Sequence, residues 1–209
     1  MGKQMDMDRL DEEVIENRRR YETRRELYRS FGYDIERERE FILGIVRPVT
    51  GPVLEIGTGK GYMTVALARA GARLTSVDLS AEVQRMALLN LRHDGCAERA
   101  RLEIANAEQL PYAAASFDLV ITVNVLHHLA RPRAVYEEMT RVVSSAGRIV
   151  VSDFSTYGLE VMDRILQSEG RRHDVGSGSL MEMREWLLAD GFKVGLHRTS
   201  IQDTIVGVR

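Results

Sequence analysis

The chain changes its hydrophobic rhythm near Pro48. Before that point apolar side chains are sparse and fall at helical intervals. Leu10, Val14, Tyr21, Tyr28 and Phe31 stand three, four or seven residues apart, so one helix presents them as a single stripe. Nothing from Gly2 to Phe31 breaks that helix. Phe31-Gly32-Tyr33-Asp34 does, and Asp34 is placed to cap a second helix that runs to Arg47 and stops at Pro48. The first forty residues carry ten basic and twelve acidic side chains, and charges of both signs share the face opposite the stripe. Two readings of this helix stay open. It is a solvated amphipathic helix packed on the domain, or a lid whose Tyr21 or Tyr28 covers a ligand.

After Pro48, short apolar runs alternate with helical stretches. Strands are predicted at Val53–Ile56, Leu74–Val77, Ala100–Ile104, Phe117–Val123 and Gly147–Val151. Helices are predicted at Tyr62–Ala70, Ser80–His93, Pro132–Ser144, Leu159–Ser168 and Leu180–Ala189. Phe192–Leu196 and Thr204–Val208 close the chain as strands, read as an antiparallel pair. Phe117–Val123 is nearly all apolar, as expected of a strand covered on both faces. The alternation implies an α/β fold: a Rossmann-like, doubly wound, mainly parallel sheet with helices on both sides. The expected organisation is an N-terminal helical extension over 1–47 and one ligand-binding domain over 48–209.

Composition narrows the function classes. Length 209 suits one domain, and 44% hydrophobic with 29% charged residues excludes collagen-like and wholly disordered chains. Lys and Arg number 29 against 31 Asp and Glu, a formal charge of −2, which argues against nucleic acid as the main partner. Arg18, Arg19, Arg20, Arg24 and Arg25 are interleaved with Glu16, Glu22 and Glu26, the pattern of a solvated face. The single cysteine, Cys96, forms no internal disulfide. No apolar run is long enough to cross a bilayer, so the expectation is a cytoplasmic protein without membrane contact.

The most informative segment is Val53-Leu54-Glu55-Ile56-Gly57-Thr58-Gly59-Lys60-Gly61. A strand runs straight into three alternate glycines, and a helix follows. Glycine permits positive φ and leaves no Cβ to block a ligand. The loop therefore offers bare backbone at the carboxyl edge of the sheet, where open α/β sheets bind ligands. Tyr62 stands where the dinucleotide fingerprint needs its third glycine, which argues against a nicotinamide oxidoreductase. Glu55 would repel a pyrophosphate and suits a cationic ligand.

These residues resemble the first motif of class I S-adenosylmethionine-dependent methyltransferases. The resemblance continues in order over roughly 48–155. Asp78, with Leu79 beside it, ends the second strand where the family places the acid that takes both ribose hydroxyls. Asn106-Ala107-Glu108 resembles the adenine segment, with Asn106 where aspartate is usual. Asn124-Val125-Leu126-His127-His128 resembles the segment leaving the fourth strand near the reacting methyl. The resemblance implies a seven-stranded sheet whose last strands run antiparallel, S-adenosylmethionine as cofactor and S-adenosylhomocysteine as product. It implies cofactor contacts at Glu55, Gly57, Thr58, Gly59, Gly61, Tyr62, Asp78, Leu79, Asn106, Ala107, Glu108 and Asn124.

Methyl transfer from a sulfonium needs orientation more than acid–base help, since placement alone supplies roughly 7–11 kcal/mol. A base is needed only for an acceptor protonated at neutral pH. His127, His128 and Asp153 leave strands on the ligand side and are the candidate catalytic residues; Tyr157, His173 and Asp174 rank behind them. Only one of the adjacent histidines is expected to face the pocket. No metal site is expected. The paired prolines of adenine or amide methylation and the attacking cysteine of cytosine methylation are missing. A small-molecule acceptor is therefore expected. A protein or RNA acceptor, a non-catalytic cofactor-binding module and a homodimer stay open.

Overall fold

In the computed structural model one seven-stranded sheet carries the chain, in the order β3-β2-β1-β4-β5-β7-β6. The structure describes residues 2–172, 176 and 178–209, with side chains from residue 9 onward. His173 and Asp174 lie outside the described residues. Helices α1 (Gly2–Ser30) and α2 (Ile35–Val46) precede the sheet. Then come β1 (Val53–Ile56), α3 (Tyr62–Arg69), β2 (Leu74–Asp78), α4 (Ala81–His93) and β3 (Ala100–Ile104). The chain crosses back to β4 (Phe117–Val123), α5 (Pro132–Val142) and β5 (Val143–Phe154). It ends with α6 (Thr156–Ser168), α7 (Leu180–Ala189), β6 (Lys193–Arg198) and β7 (Gln202–Val208).

Strands β1 to β5 are parallel, and β7 runs antiparallel to both β5 and β6. The strand order reverses between β1 and β4. The connections leaving their carboxyl ends run to opposite faces, to α3 and α5, and leave a crevice, the usual ligand position in such sheets.

Neighbouring strand residues enter different cores. Leu54, Ile56, Val120, Ile149 and Val151 pack with α5 and α7 on one face. Val53, Leu119, Ile121 and Val150 pack with α2 and α3 on the other. Period-two side-chain alternation with both faces covered is why these strands read as unbroken apolar runs. Each fully buried Leu or Ile contributes about 1.5–3 kcal/mol.

A third cluster caps the carboxyl edge. Tyr33 and Ile35 meet Val161, Met162, Ile165 and Leu166 of α6, with Leu27 and Tyr28 of α1 and Phe31 of the turn after it packed around them.

Several boundaries differ from the sequence expectation. Helix α5 stops at Val142 rather than Ser144, and β5 takes up the chain from Val143 instead of Gly147. Helix α6 starts at Thr156 rather than Leu159, because the Ser155 hydroxyl accepts from the Gly158 N–H at 3.0 Å. Strand β7 starts at Gln202 rather than Thr204, because Gln202 and Thr204 both bond the buried Ser152 hydroxyl, at 2.5 and 2.8 Å. No helix among the described residues is long and apolar enough to cross a membrane.

Candidate active site

The glycine loop that follows β1 has positive φ at Gly57 (86°), Gly59 (49°) and Gly61 (78°). A Cβ on Gly57 would stand 2.2 Å from Val125 Cγ2, and one on Gly61 2.6 Å from Ala87 Cβ. Packing demands glycine at those two positions. A Cβ on Gly59 would meet nothing within 4 Å. Gly59 thus exposes bare backbone to a cavity of about 600 Å³ at the carboxyl edge. That volume lies within the roughly 300–1,000 Å³ of small-molecule pockets.

Acidic side chains brace the loop from below. Glu55 is 2% exposed, and its Oε2 accepts from Thr64 Oγ1 and Ser76 Oγ, both at 2.6 Å. Burial pushes its carboxyl up to about 7, with the Ser76 and Thr64 hydrogen bonds pulling the other way. Thr58 is buried as well, its hydroxyl 2.7 Å from Ser76 Oγ. Asp78, at the end of β2, accepts from the Gly59 N–H at 2.9 Å with Oδ2 and from the Ser80 N–H at 3.0 Å with Oδ1. Asp78 lines the cavity, and each of its oxygens keeps acceptor capacity beyond these bonds.

The rest of the wall comes from loops after β2, β3 and β4. Leu79 lines the cavity yet is 72% exposed. Asn106 turns its Oδ1 onto the Glu108 N–H at 3.0 Å, which folds the Asn106-Ala107-Glu108 segment around the rim. Glu108 pairs with Arg131. Asn124 has φ 57°, a left-handed conformation that asparagine tolerates better than most residues. Its Nδ2 donates to Tyr33 Oη at 3.3 Å, and its Oδ1 accepts from Gln202 Nε2 at 2.6 Å.

The two histidines part company. His128 is exposed and lines the cavity. His127 is 5% exposed and turns inward to Asp153, itself 6% exposed. Asp153 accepts from the His127 N–H at 2.9 Å and stands 2.5 Å from its ring Nδ1. It also accepts from the Phe154 N–H at 2.8 Å. Asp153 therefore fixes the turn that presents His128. Tyr157 is 50% exposed on α6. Among the described residues no cluster of three metal-ligating side chains occurs.

Tyr62, the residue that breaks the dinucleotide fingerprint, anchors the N-terminal helix. Its ring centroid lies 5.0 Å from that of Tyr21, its hydroxyl accepts from Arg24 Nη1 at 2.9 Å, and the Arg39 guanidinium lies over the ring. Asn17 donates to Asn90 Oδ1 at 2.7 Å, and Asn90 donates to the Lys60 carbonyl at 2.8 Å. Helix α1 is thus tied to the glycine loop at two points.

The sequence reading missed Arg39. It lines the cavity beside Glu55, and its charge reaches the Glu55 carboxylate. Its signal was there: a cation among Ile35, Ile42, Leu43 and Val46 on the apolar stripe of α2.

Residues 54–151 match the methyltransferase domain family. Over those residues the chain carries a methyltransferase domain similar to the class I S-adenosylmethionine-dependent family. The chain is 34% identical over 112 residues to a demethylmenaquinone methyltransferase from Clavibacter sepedonicus, covering 53% of this chain and 44% of the relative. It is 26% identical over 167 residues to a ubiquinone biosynthesis O-methyltransferase from Xanthomonas axonopodis pv. citri, covering 74% and 68%. It therefore spans about half the length of several curated relatives it matches. A solved SAM-dependent methyltransferase from Aquifex aeolicus superposes with a TM-score of 0.62 at 18% identity, over 81% of this chain and 88% of that one. That likeness is one of fold, and the cofactor of the class I family is S-adenosylmethionine.

Proposed function

We propose that this methyltransferase moves a methyl group from S-adenosylmethionine to an O, N, S or C nucleophile of a small-molecule acceptor by in-line displacement. One observation carries the reading. The bare Gly59 backbone and the Asp78 carboxylate meet on one wall of the cavity at the β1–β4 crevice.

The residues fit the cofactor's chemistry. Asp78 has acceptor capacity left for a vicinal diol. Leu79, Ala107 and Asn106 form a partly apolar rim suited to a planar base. Arg39 offers a cation to the cofactor's carboxylate, and Glu55 beside it balances an ammonium. The bound cofactor supplies a methyl on an already activated sulfonium. His128 receives the proton of an acceptor that must lose one, and Asp153 acts through the His127 turn as a positioning residue. The quinone-pathway names of the relatives support a small-molecule acceptor over a protein or an RNA.

Thermal unfolding with S-adenosylhomocysteine, S-adenosylmethionine and NAD, each added separately, tests the reading. A ligand that binds only the folded state stabilises it by about 2.7 kcal/mol at a hundredfold excess over Kd. A rise in Tm with the first two alone is expected. A rise with NAD alone, or none in a folded sample, overturns it.

A further inference from the structure

Lys60 stands on the glycine loop and lines the cavity, half-buried. Among the described residues no carboxylate lies within ion-pair reach of its ammonium. Two further cations act on it, Arg24 from α1 and Arg171 from beyond α6. Burial first, and then those two charges, push the Lys60 ammonium down to about 8. The acid nearby, Glu169, is already paired with Arg171 at 3.2 Å.

Arg24 is unusual on its helix. Arg9, Arg18, Arg19, Arg20, Arg25 and Arg29 all pair with an acid. Arg24 instead gives its Nη1 to the neutral Tyr62 hydroxyl, and no carboxylate among the described residues pairs with it. Like charges held close together, partly out of water, destabilise the folded chain. An anion brought to the same place reverses that cost and gains charge-assisted hydrogen bonds.

Arg39 stands apart from this group. It lies over the Tyr62 ring, lines the cavity and acts on Glu55, which leaves it for the cofactor's own carboxylate. We propose that Lys60, on the cavity wall, and Arg24, on the hydroxyl of cavity-lining Tyr62, form an oxyanion-binding rim, and that the methyl acceptor carries a carboxylate or a phosphate held there. This inference rests on the methyltransferase reading of the cavity and names the acceptor's chemical class.

The test is isothermal titration calorimetry at constant ionic strength, on the full chain saturated with S-adenosylhomocysteine. Inorganic pyrophosphate and benzoate are titrated as separate probes. Binding of either supports the rim, and the tighter of the two assigns phosphate or carboxylate. Lys60→Met and Arg24→Gln should each weaken the bound anion about tenfold or more, the scale of a lost charge-assisted bond. The Lys60→Met protein should keep its S-adenosylhomocysteine affinity.

Three results would overturn the proposal. One is a loaded wild-type protein that binds neither anion. Another is a pair of variants that bind anion as the wild type does. The third is Lys60→Met losing S-adenosylhomocysteine about tenfold while keeping 5′-methylthioadenosine, which lacks the carboxylate; Lys60 would then serve the cofactor. Failure of wild-type protein to bind S-adenosylhomocysteine at all would bring down the methyltransferase reading itself, and the rim with it.

Discussion

Asp153 holds His127 twice, through the backbone N–H at 2.9 Å and through ring Nδ1 at 2.5 Å. Strand β5 thereby grips the turn that follows β4, and the cavity-facing neighbour, His128, inherits its position from that grip. The two histidines should respond differently to mutation. His128→Gln should lower kcat about a hundredfold or more for an acceptor that must lose a proton, with cofactor affinity retained. Asp153→Ala should instead lower unfolding free energy by about 2–4 kcal/mol, because it strips three hydrogen bonds from a buried site. Urea denaturation and steady-state kinetics on both variants check the split. Equal stability losses in the two would show that the division of labour is wrong.

Asp78 joins the glycine loop to the expected ribose site, since one carboxylate oxygen holds the Gly59 N–H. Asp78→Ala should weaken S-adenosylhomocysteine binding by about 1.5–3 kcal/mol, the range for hydrogen bonds to a charged group. Calorimetry gives the number directly. An unchanged Kd in a folded protein would remove Asp78 from the cofactor site.

The loop glycines separate packing from ligand space. Gly61→Ala places a methyl 2.6 Å from Ala87 Cβ and 2.7 Å from Ala87 Cα, so either α3 or α4 must move. It should destabilise the fold by about 1–3 kcal/mol, the cost of overpacking. Gly59→Val meets no protein atom at Cβ, though its φ of 49° adds some strain. It should stay folded and lose cofactor binding by occupying the ligand's space. Thermal unfolding with and without S-adenosylhomocysteine distinguishes the pair. A Gly59→Val protein with normal affinity would contradict the placement of the ligand over this loop.

What the sequence could reveal follows from range. Val53–Ile56, Phe117–Val123 and the glycine loop are local signals: short apolar runs and residues that permit positive φ. Their spacing along the chain predicts a ligand edge at the carboxyl end of β1. The features it hid depend on distant partners. Gln202 looks like a loop residue until Ser152 is known to face it. Tyr33 looks like a turn residue until Asn124, ninety-one positions away, donates to it. Arg39 sits on an apolar helical stripe, and only the fold shows that this stripe ends at the cavity. Adjacent histidines cannot be sorted into buried and exposed without the Asp153 carboxylate.

Glu55 makes stability depend on pH in an unusual direction. Burial, aided by the Asp78 charge, pushes its carboxyl from 4.5 to about 7, against the pull of Ser76, Thr64 and Arg39. Between those values the unfolded chain has lost this proton and the folded chain keeps it. Folding therefore takes up a proton, and the contribution is fully present below about pH 4.5. It fades as pH rises and is gone above about pH 7. The size is on the order of 3 kcal/mol. Glu55→Gln carries a neutral amide at every pH and cannot show this fall. Urea denaturation from pH 5 to 8 should give the wild type a steeper loss of stability than Glu55→Gln. Parallel curves for the two proteins would mean that Glu55 ionises in the fold as freely as in the unfolded chain.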